Sequence, residues 1–212
     1  MDFDQTEERR LIADTVAKFI AKDYPIENRV KAANSEIGFS TDNWAKIHEL
    51  GIPYALFSEE FNGFGGDGFD IASLFEALGK GLIVEPLLIS LISGDILSFS
   101  KKHSSLLQDI ISGDKRIAFA HFETQSGYES ANILTNVRDQ KISGVKSMVQ
   151  FANGVDNILV SAIDGQRLKL YLINPNAKGL KVNDYQTVDG GRAAEILLDQ
   201  VEAIELDIDG ET

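Results

Sequence analysis

Ser58-Glu-Glu-Phe-Asn-Gly-Phe-Gly-Gly-Asp-Gly68, followed by a largely apolar run to Pro86, is the stretch on which the reading of the fold turns. Glycines at 63, 65, 66 and 68 give the backbone freedom for a tight, close-packed loop. Asp67 is placed to cap a helix behind that loop. Ile71, Leu74, Phe75, Leu78 and Leu82 then recur at helical spacing, so one face of the helix is buried. Pro86 fits the first turn of the next helix, where its missing N–H costs nothing. A Gly-rich loop before a helix can also cradle phosphate. This one lacks the preceding strand and the following Lys-Ser/Thr of a phosphate-binding loop, which favours a packed helix–loop–helix corner.

Working outward, the first half reads as helices throughout. Asp4 and Glu7 make a capping box for a helix to about Lys22, with Leu11/Ile12, Thr15/Val16 and Phe19/Ile20 as its buried stripe. Pro25 stops it. A second helix is expected over Ile26 to Ala33, and a third capped by Thr41 through Trp44, Ile47 and Leu50. Leu87 to Phe99 is apolar on nearly every side, the pattern of a helix surrounded by others. Ser104 to Ile111 adds a shorter helix closed by Gly113. His48 and His103 read as surface or helix-end residues rather than catalysts.

At Asp114 the period changes from helical to alternating. Arg116–Phe122, Ile133–Val137, Lys146–Phe151, Asn157–Ile163 and Arg167–Ile173 read as strands, with Asp164-Gly165 as a hairpin turn. Leu180–Val182, Ala194–Leu198 and Ala203–Leu206 complete a small antiparallel barrel or sandwich. The fold class is therefore α+β, an all-α bundle over 1–113 followed by a β domain over 114–212. The break is expected between Ser112 and Lys115, with the two halves touching through an apolar face.

Composition narrows the function. A net charge of −13 disfavours nucleic acid and anionic membrane surfaces as partners. No cysteine is present, so thiolate and disulfide chemistry are excluded, and the three histidines lack metal-ligand spacing. The amino end has no apolar signal core, and no run approaches the roughly 18 apolar residues of a membrane span. These features read as a soluble, cytoplasmic protein.

Several ordered motifs resemble the acyl-CoA dehydrogenase family. The Glu59-Glu60-Phe61 and Gly-rich corner is followed by Leu74-Phe-Glu-Ala-Leu-Gly-Lys-Gly81 and then Glu85-Pro-Leu-Leu88. Ile117-Ala-Phe-Ala-His-Phe-Glu-Thr-Gln-Ser-Gly127, continuing through Tyr128 and Glu129, stands where the family has a strand and a loop with Thr-Glu-Pro-Gly. Ser143-Gly-Val-Lys146 resembles its Asn-Gly-x-Lys turn, and Thr187-Val-Asp-Gly-Gly-Arg-Ala-Ala194 its Thr-x-Asp-x-x-Arg-Ala-Ala segment. The likeness runs from Met1 to about Leu206.

The resemblance implies FAD-dependent oxidation of the Cα–Cβ bond of an acyl-CoA thioester, with a carboxylate taking the α proton and the flavin the β hydride. It implies a homo- or hetero-oligomer and an electron-transfer partner. It maps the flavin contacts onto Phe122, Glu123, Met148 and Gln150, and a substrate contact onto Tyr128. Phe122 and Gln150 stand where the family points hydroxyls at the flavin ring, so FAD binding by this chain is expected to be weak or absent. The family's catalytic Glu belongs to a C-terminal helical domain with no counterpart here. No catalytic residue is therefore assigned, and Glu59, Glu60, Glu76, Glu85 and Glu123 read as caps, solvated faces or loop carboxylates. The chain alone is expected to be inactive, as the N-terminal and middle part of such an enzyme. The alternative is a non-catalytic partner subunit with a decayed flavin site. A third reading is an acyl-CoA or acyl-carrier binding module without redox chemistry.

Overall fold

The computed structural model describes residues 6–64, 67–127, 129 and 131–208. Six α-helices come first: α1 (Glu7–Asp23), α2 (Ile26–Ala33), α3 (Thr41–Glu49), α4 (Gly68–Lys80), α5 (Leu87–Ser98) and α6 (Ser104–Ser112). Eight strands follow: β1 (Ile117–Ala120), β2 (Asn136–Arg138), β3 (Lys141–Gln150), β4 (Asn157–Asp164), β5 (Arg167–Ile173), β6 (Leu180–Gln186), β7 (Arg192–Glu202) and β8 (Ile204–Glu205). This is the expected α+β class.

The corner that opened the sequence reading forms as expected. The Asp67 carboxylate accepts from the N–H groups of Phe69 and Asp70, and Asp70 returns the bond to the Asp67 N–H. Arg9 of α1 closes the corner by donating to Asp70 Oδ1 at 2.6 Å and Asp67 Oδ2 at 3.0 Å. Gly63 is required there, because a Cβ would lie 1.9 Å from the Phe57 carbonyl oxygen. Gly65 and Gly66 lie outside the described residues.

Caps elsewhere shift by a residue or two. Thr6 caps α1, accepting from Arg9 N–H, whereas the Asp4 half of the expected box lies outside the described residues. Ser40, not Thr41, caps α3. Either hydroxyl can serve, and the chain entering α3 places Ser40 at the boundary. Pro86 takes the N-cap position of α5 rather than its first turn. The expectation that α5 is enclosed is corrected: Leu88, Ile92 and Phe99 are exposed, while Leu87, Ile89 and Leu97 are buried. An apolar circumference describes what a helix can bury, not what its neighbours cover.

His48 is buried near the end of α3, not at the surface. Its Nδ1 pairs with the Trp44 carbonyl at 2.8 Å, the ring lies 4.2 Å from the Trp44 ring, and Nε2 has no partner. Burial holds the imidazole below its ordinary pKa. The stability of its neutral form is therefore present above about 6.5 and lost as the pH falls through the lowered value. His103 does lie at a helix end, at the N-cap of α6.

The strands form one sheet in the order β6-β7-β3-β2-β4-β5-β8, with β1 added on β4. The barrel alternative is corrected, because β6 and β8 end the ladder without pairing with each other among the described residues. Most pairings are antiparallel, but β1 runs parallel to β4 from Ile117↔Asn157 to Ala120↔Val160. Alternation identifies strands; it does not identify their partners.

The turn expected at Ser143-Gly144 lies inside β3 instead. The β2–β3 hairpin turns at Asp139-Gln140, both at positive φ (50° and 61°), the geometry of a two-residue primed turn. Gly144 is needed for close approach, since a Cβ would lie 2.4 Å from Thr135 Oγ1.

Two apolar clusters hold the molecule together. One lies within the sheet, around Ile142, Ile158, Val160, Ile196 and Val201. The other joins Trp44, Ile47, Leu74, Leu97 and Ile110 of the helices to Ile117, Phe151, Leu159 and Leu172 of the strands. The backbone changes from helix to strand between Gly113, the left-handed C-cap of α6 (φ 83°), and Ile117.

Candidate functional site

A cleft of about 600 Å³ lies where the α4–α5 connection meets the edge of β3 and the β6–β7 turn. Leu82, Ile83, Val84, Pro86, Leu88 and Ile89 form one wall, and Met148, Gln150, Phe151 and Val188 the other. The chain builds the second wall by breaking the pleat of β3. The β3–β7 register shifts between Lys146 and Val149, and Met148 and Phe151 both take positive φ (54° and 52°). Such a bulge re-aims side chains, and backbone of this kind persists only where its surroundings hold it. Here Val149 is buried beneath, while Met148 is 51% exposed and Gln150 points to solvent. The Tyr185 hydroxyl on β6 donates to Met148 Sδ at 3.1 Å, fixing the thioether from the side.

Of the residues expected to contact a flavin, the structure brings Met148 and Gln150 into this cleft. Phe122 stands close by without lining it: its carbonyl accepts from Ser147 N–H at 2.8 Å, and its ring is 58% exposed. Glu123 turns the other way, into the protein. Tyr128 lies outside the described residues.

Glu123 belongs to a buried polar network. Its Oε1 accepts from Lys146 Nζ at 2.8 Å and Thr135 N–H at 3.0 Å, and its Oε2 from Leu134 N–H at 2.8 Å and Gln125 Nε2 at 2.5 Å. Lys146 is 0% exposed and also donates to the His121 carbonyl and the Ser161 hydroxyl, both at 3.1 Å. Burial alone would raise the Glu123 carboxyl. The bonds from Lys146, Thr135, Leu134 and Gln125 outweigh it and hold the pKa at about 2. Neither a solvated nor a capping role fits this carboxylate; it pins the β1–β2 loop to β3. Beside it, Thr124 Oγ1 meets Ser147 Oγ at 2.8 Å, and Ser147 Oγ donates to Glu195 Oε2 at 2.9 Å.

Glu85 is likewise corrected from a solvated or loop carboxylate to a buried one, 6% exposed behind the first wall. The Tyr24 hydroxyl donates to its Oε2 at 2.8 Å and accepts from Val84 N–H at 3.0 Å, while Oε1 has no partner. Burial raises its pKa, with the Tyr24 bond working against the rise. A raised carboxyl contributes stability that is present below the unfolded value, about 4.3, and lost as the pH rises through the folded one. Glu85→Gln, neutral at every pH and still able to accept from Tyr24, is therefore expected to gain on the parent protein as the pH rises. Urea unfolding at pH 5 and pH 8 checks this, and an equal difference at both values would remove the charge from the account. A carboxylate inside the run Leu82-Ile-Val-Glu-Pro-Leu-Leu was the sequence signal for it. No comparable signal marked Arg29, which lines the same cleft from α2.

Among the described residues no group of three or more His, Cys, Asp or Glu side chains is placed to hold a metal, and no helix is long and apolar enough to cross a membrane.

Comparison with known proteins agrees with the motifs. Residues 6–102 match the family model described as acyl-CoA dehydrogenase, N-terminal domain. The chain is 33% identical over 111 residues to acyl-CoA dehydrogenase IpdE2 of Mycolicibacterium smegmatis, covering 52% of this chain and 35% of that protein. It is 26% identical over 220 residues to the probable acyl-CoA dehydrogenase YngJ of Bacillus subtilis, covering 95% of this chain and 57% of that protein. Its fold matches the ChsE4-ChsE5 complex from Mycobacterium tuberculosis with a TM-score of 0.83 at 20% identity, over 97% of this chain and 57% of that one. The chain thus spans little more than half the length of the relatives that it matches from end to end.

Proposed function

Because the chain belongs to the acyl-CoA dehydrogenase family, a family of oxidoreductases, we propose that it supplies the N-terminal and middle portions of an FAD-dependent acyl-CoA dehydrogenase. In this reading residues 1–113 and 114–212 are its two domains, and the cleft between the α4–α5 connection and β3 is where flavin and acyl group meet. The observation that carries the reading is the bulge in β3, which presents Met148 and Gln150 to an otherwise apolar cleft. A thioether and the exposed Phe122 ring suit the apolar body of an isoalloxazine, and the Gln150 amide offers a donor and an acceptor to its polar edge. When bound, FAD would supply the acceptor for the β hydride. The residues of this chain would hold and orient it. Glu123 is committed to Lys146 and Glu85 to Tyr24, so neither is assigned the α proton. Acyl-CoA, an electron-transfer partner and an oligomeric, cytoplasmic setting belong to the same proposal.

A second reading, a partner subunit with a reduced flavin site, is favoured by Phe122 and Gln150 standing where the family has hydroxyls. Each lost hydrogen bond weakens binding by about 0.5–1.5 kcal/mol, roughly two- to tenfold. The expected result is weak FAD binding in a fluorescence titration of the purified chain, weakened a further two- to tenfold in Gln150→Ala. One flavin per chain retained through desalting would reject the reduced-site reading. Indifference of FAD affinity to both Gln150→Ala and Met148→Ala would move the flavin away from this cleft.

A further inference from the structure

Arg29 is the one charged group in the cleft wall to which the flavin and acyl reading gives no task. Its Nε–H donates to the Leu82 carbonyl at 3.3 Å and its Nη2 to the Asp189 carbonyl at 2.5 Å, so the guanidinium is held from the helical side and the strand side at once. It lies over Gly190, where a Cβ would come within 3.0 Å of Nη2 and 3.1 Å of Nη1. Both hydrogen-bond partners are neutral. Among the described residues no carboxylate lies within ion-pair distance of Arg29, whereas Arg9, Arg10, Arg116 and Arg192 each have one. Arg138 and Arg167 also lack one, but both are exposed on strand ends, where water solvates the charge. Arg29 is half-buried and borders both the main cleft and an adjoining cavity of about 300 Å³. The nearby Asp189 carboxylate is occupied by the Thr187 hydroxyl and the Gly191 N–H, although the Arg29 charge contributes to its lowered pKa.

We propose that Arg29 anchors an anionic oxygen group, carboxylate or phosphate, on a ligand whose apolar part lies in the cleft. A guanidinium has five N–H donors in a planar fork suited to such groups, and Arg29 spends two of them on the protein. Its orientation is fixed in advance, so little side-chain freedom is lost on binding. In a chain of net charge −13 the overall field repels anions, and a specific anion site has to be local. Resting on the reading of this cleft as the acyl site, the inference narrows the substrate class to acyl thioesters with an acidic group at the far end of the acyl part, or else assigns Arg29 to the phosphates of the thioester carrier.

Calorimetric titration of the chain with decanoate, with decanol and with coenzyme A separates these cases. Decanoate is expected to bind about tenfold more tightly than decanol, with the preference abolished in Arg29→Gln and partly kept in Arg29→Lys. Coenzyme A binding that is lost in Arg29→Gln, without a decanoate preference, assigns the anion site to phosphate. Equal binding of decanoate and decanol, together with coenzyme A binding that is absent or unaffected by Arg29→Gln, overturns the proposal. The comparison of ligands on the unaltered chain stands even if Arg29→Gln fails to fold. No probe carries a flavin or a thioester, so the result is independent of whether the chain binds FAD.

Discussion

Lys146→Met is expected to destabilise the protein by about 3–5 kcal/mol, because it leaves the buried Glu123 carboxylate without its counter-charge. The site cannot relax by admitting water easily: Lys146 is fully enclosed and Glu123 is buried beneath the β1–β2 loop. The His121 carbonyl and the Ser161 hydroxyl lose a donor in the same substitution. Glu123→Gln is expected to be milder, since an amide still accepts from Lys146 but removes the ion pair. The double variant Lys146→Met with Glu123→Leu separates a lost attraction from a stranded charge. Replacing both partners by apolar groups is often close to neutral, so the double variant should recover part of the loss. The pH dependence has a definite sign. Glu123 has a folded pKa of about 2, so its contribution is present above the unfolded value of about 4.3 and is lost as the pH falls through about 2. In Lys146→Met the stranded carboxyl is relieved by protonation, and the gap to the parent protein should narrow between pH 7 and pH 3. Urea unfolding at both values measures it, and a gap that widens on acidification would contradict the stranded-charge account.

Trp44→Ala is expected to cost about 3–5 kcal/mol. The indole is almost wholly buried, packs 4.2 Å from His48 and 6.1 Å from Phe39, and donates from Nε1 to the Gly113 carbonyl at 3.0 Å. That carbonyl belongs to the left-handed residue that ends α6, and a Cβ at Gly113 would lie 2.5 Å from the His48 ring. Trp44, His48 and Gly113 therefore fix the point at which the chain leaves its helices for its strands. Trp44→Phe keeps much of the apolar area and removes only the N–H, so its cost should be about 1–3 kcal/mol, that of a buried acceptor left unpaired. Circular dichroism follows unfolding of both variants. A cost below about 1 kcal/mol for Trp44→Ala would show that the packing around α6 closes over the gap.

The family assignment gives the cleft its meaning, but the physical arguments above stand on the chain itself. The bulged wall, the clamped loop and the half-buried arginine are local arrangements, each with its own test.

Local patterns in the sequence determined most of the elements. The capped corner at Asp67, the helical stripes of α1 and α4, the stop at Gly113 and the alternation after Asp114 each depend on neighbours within a few residues, and each is legible at that range. The same range explains the misses. Thr6 and Ser40 rather than their neighbours cap helices because the path of the chain selects among equivalent hydroxyls. The β2–β3 turn falls at Asp139-Gln140, a pair without the glycine that usually announces such a turn. What only the tertiary structure decided are the relations between distant residues. They include the parallel pairing of β1 with β4, the meeting of Glu123 with Lys146 and of Tyr24 with Glu85, and the placing of Arg29 beside Met148 and Gln150 in one cleft. The charge on Glu123 or Arg29 is visible in the sequence, but its role depends on whether water or another side chain answers it. Burial and distance decide that, and both are set by the packing of segments far apart in the chain.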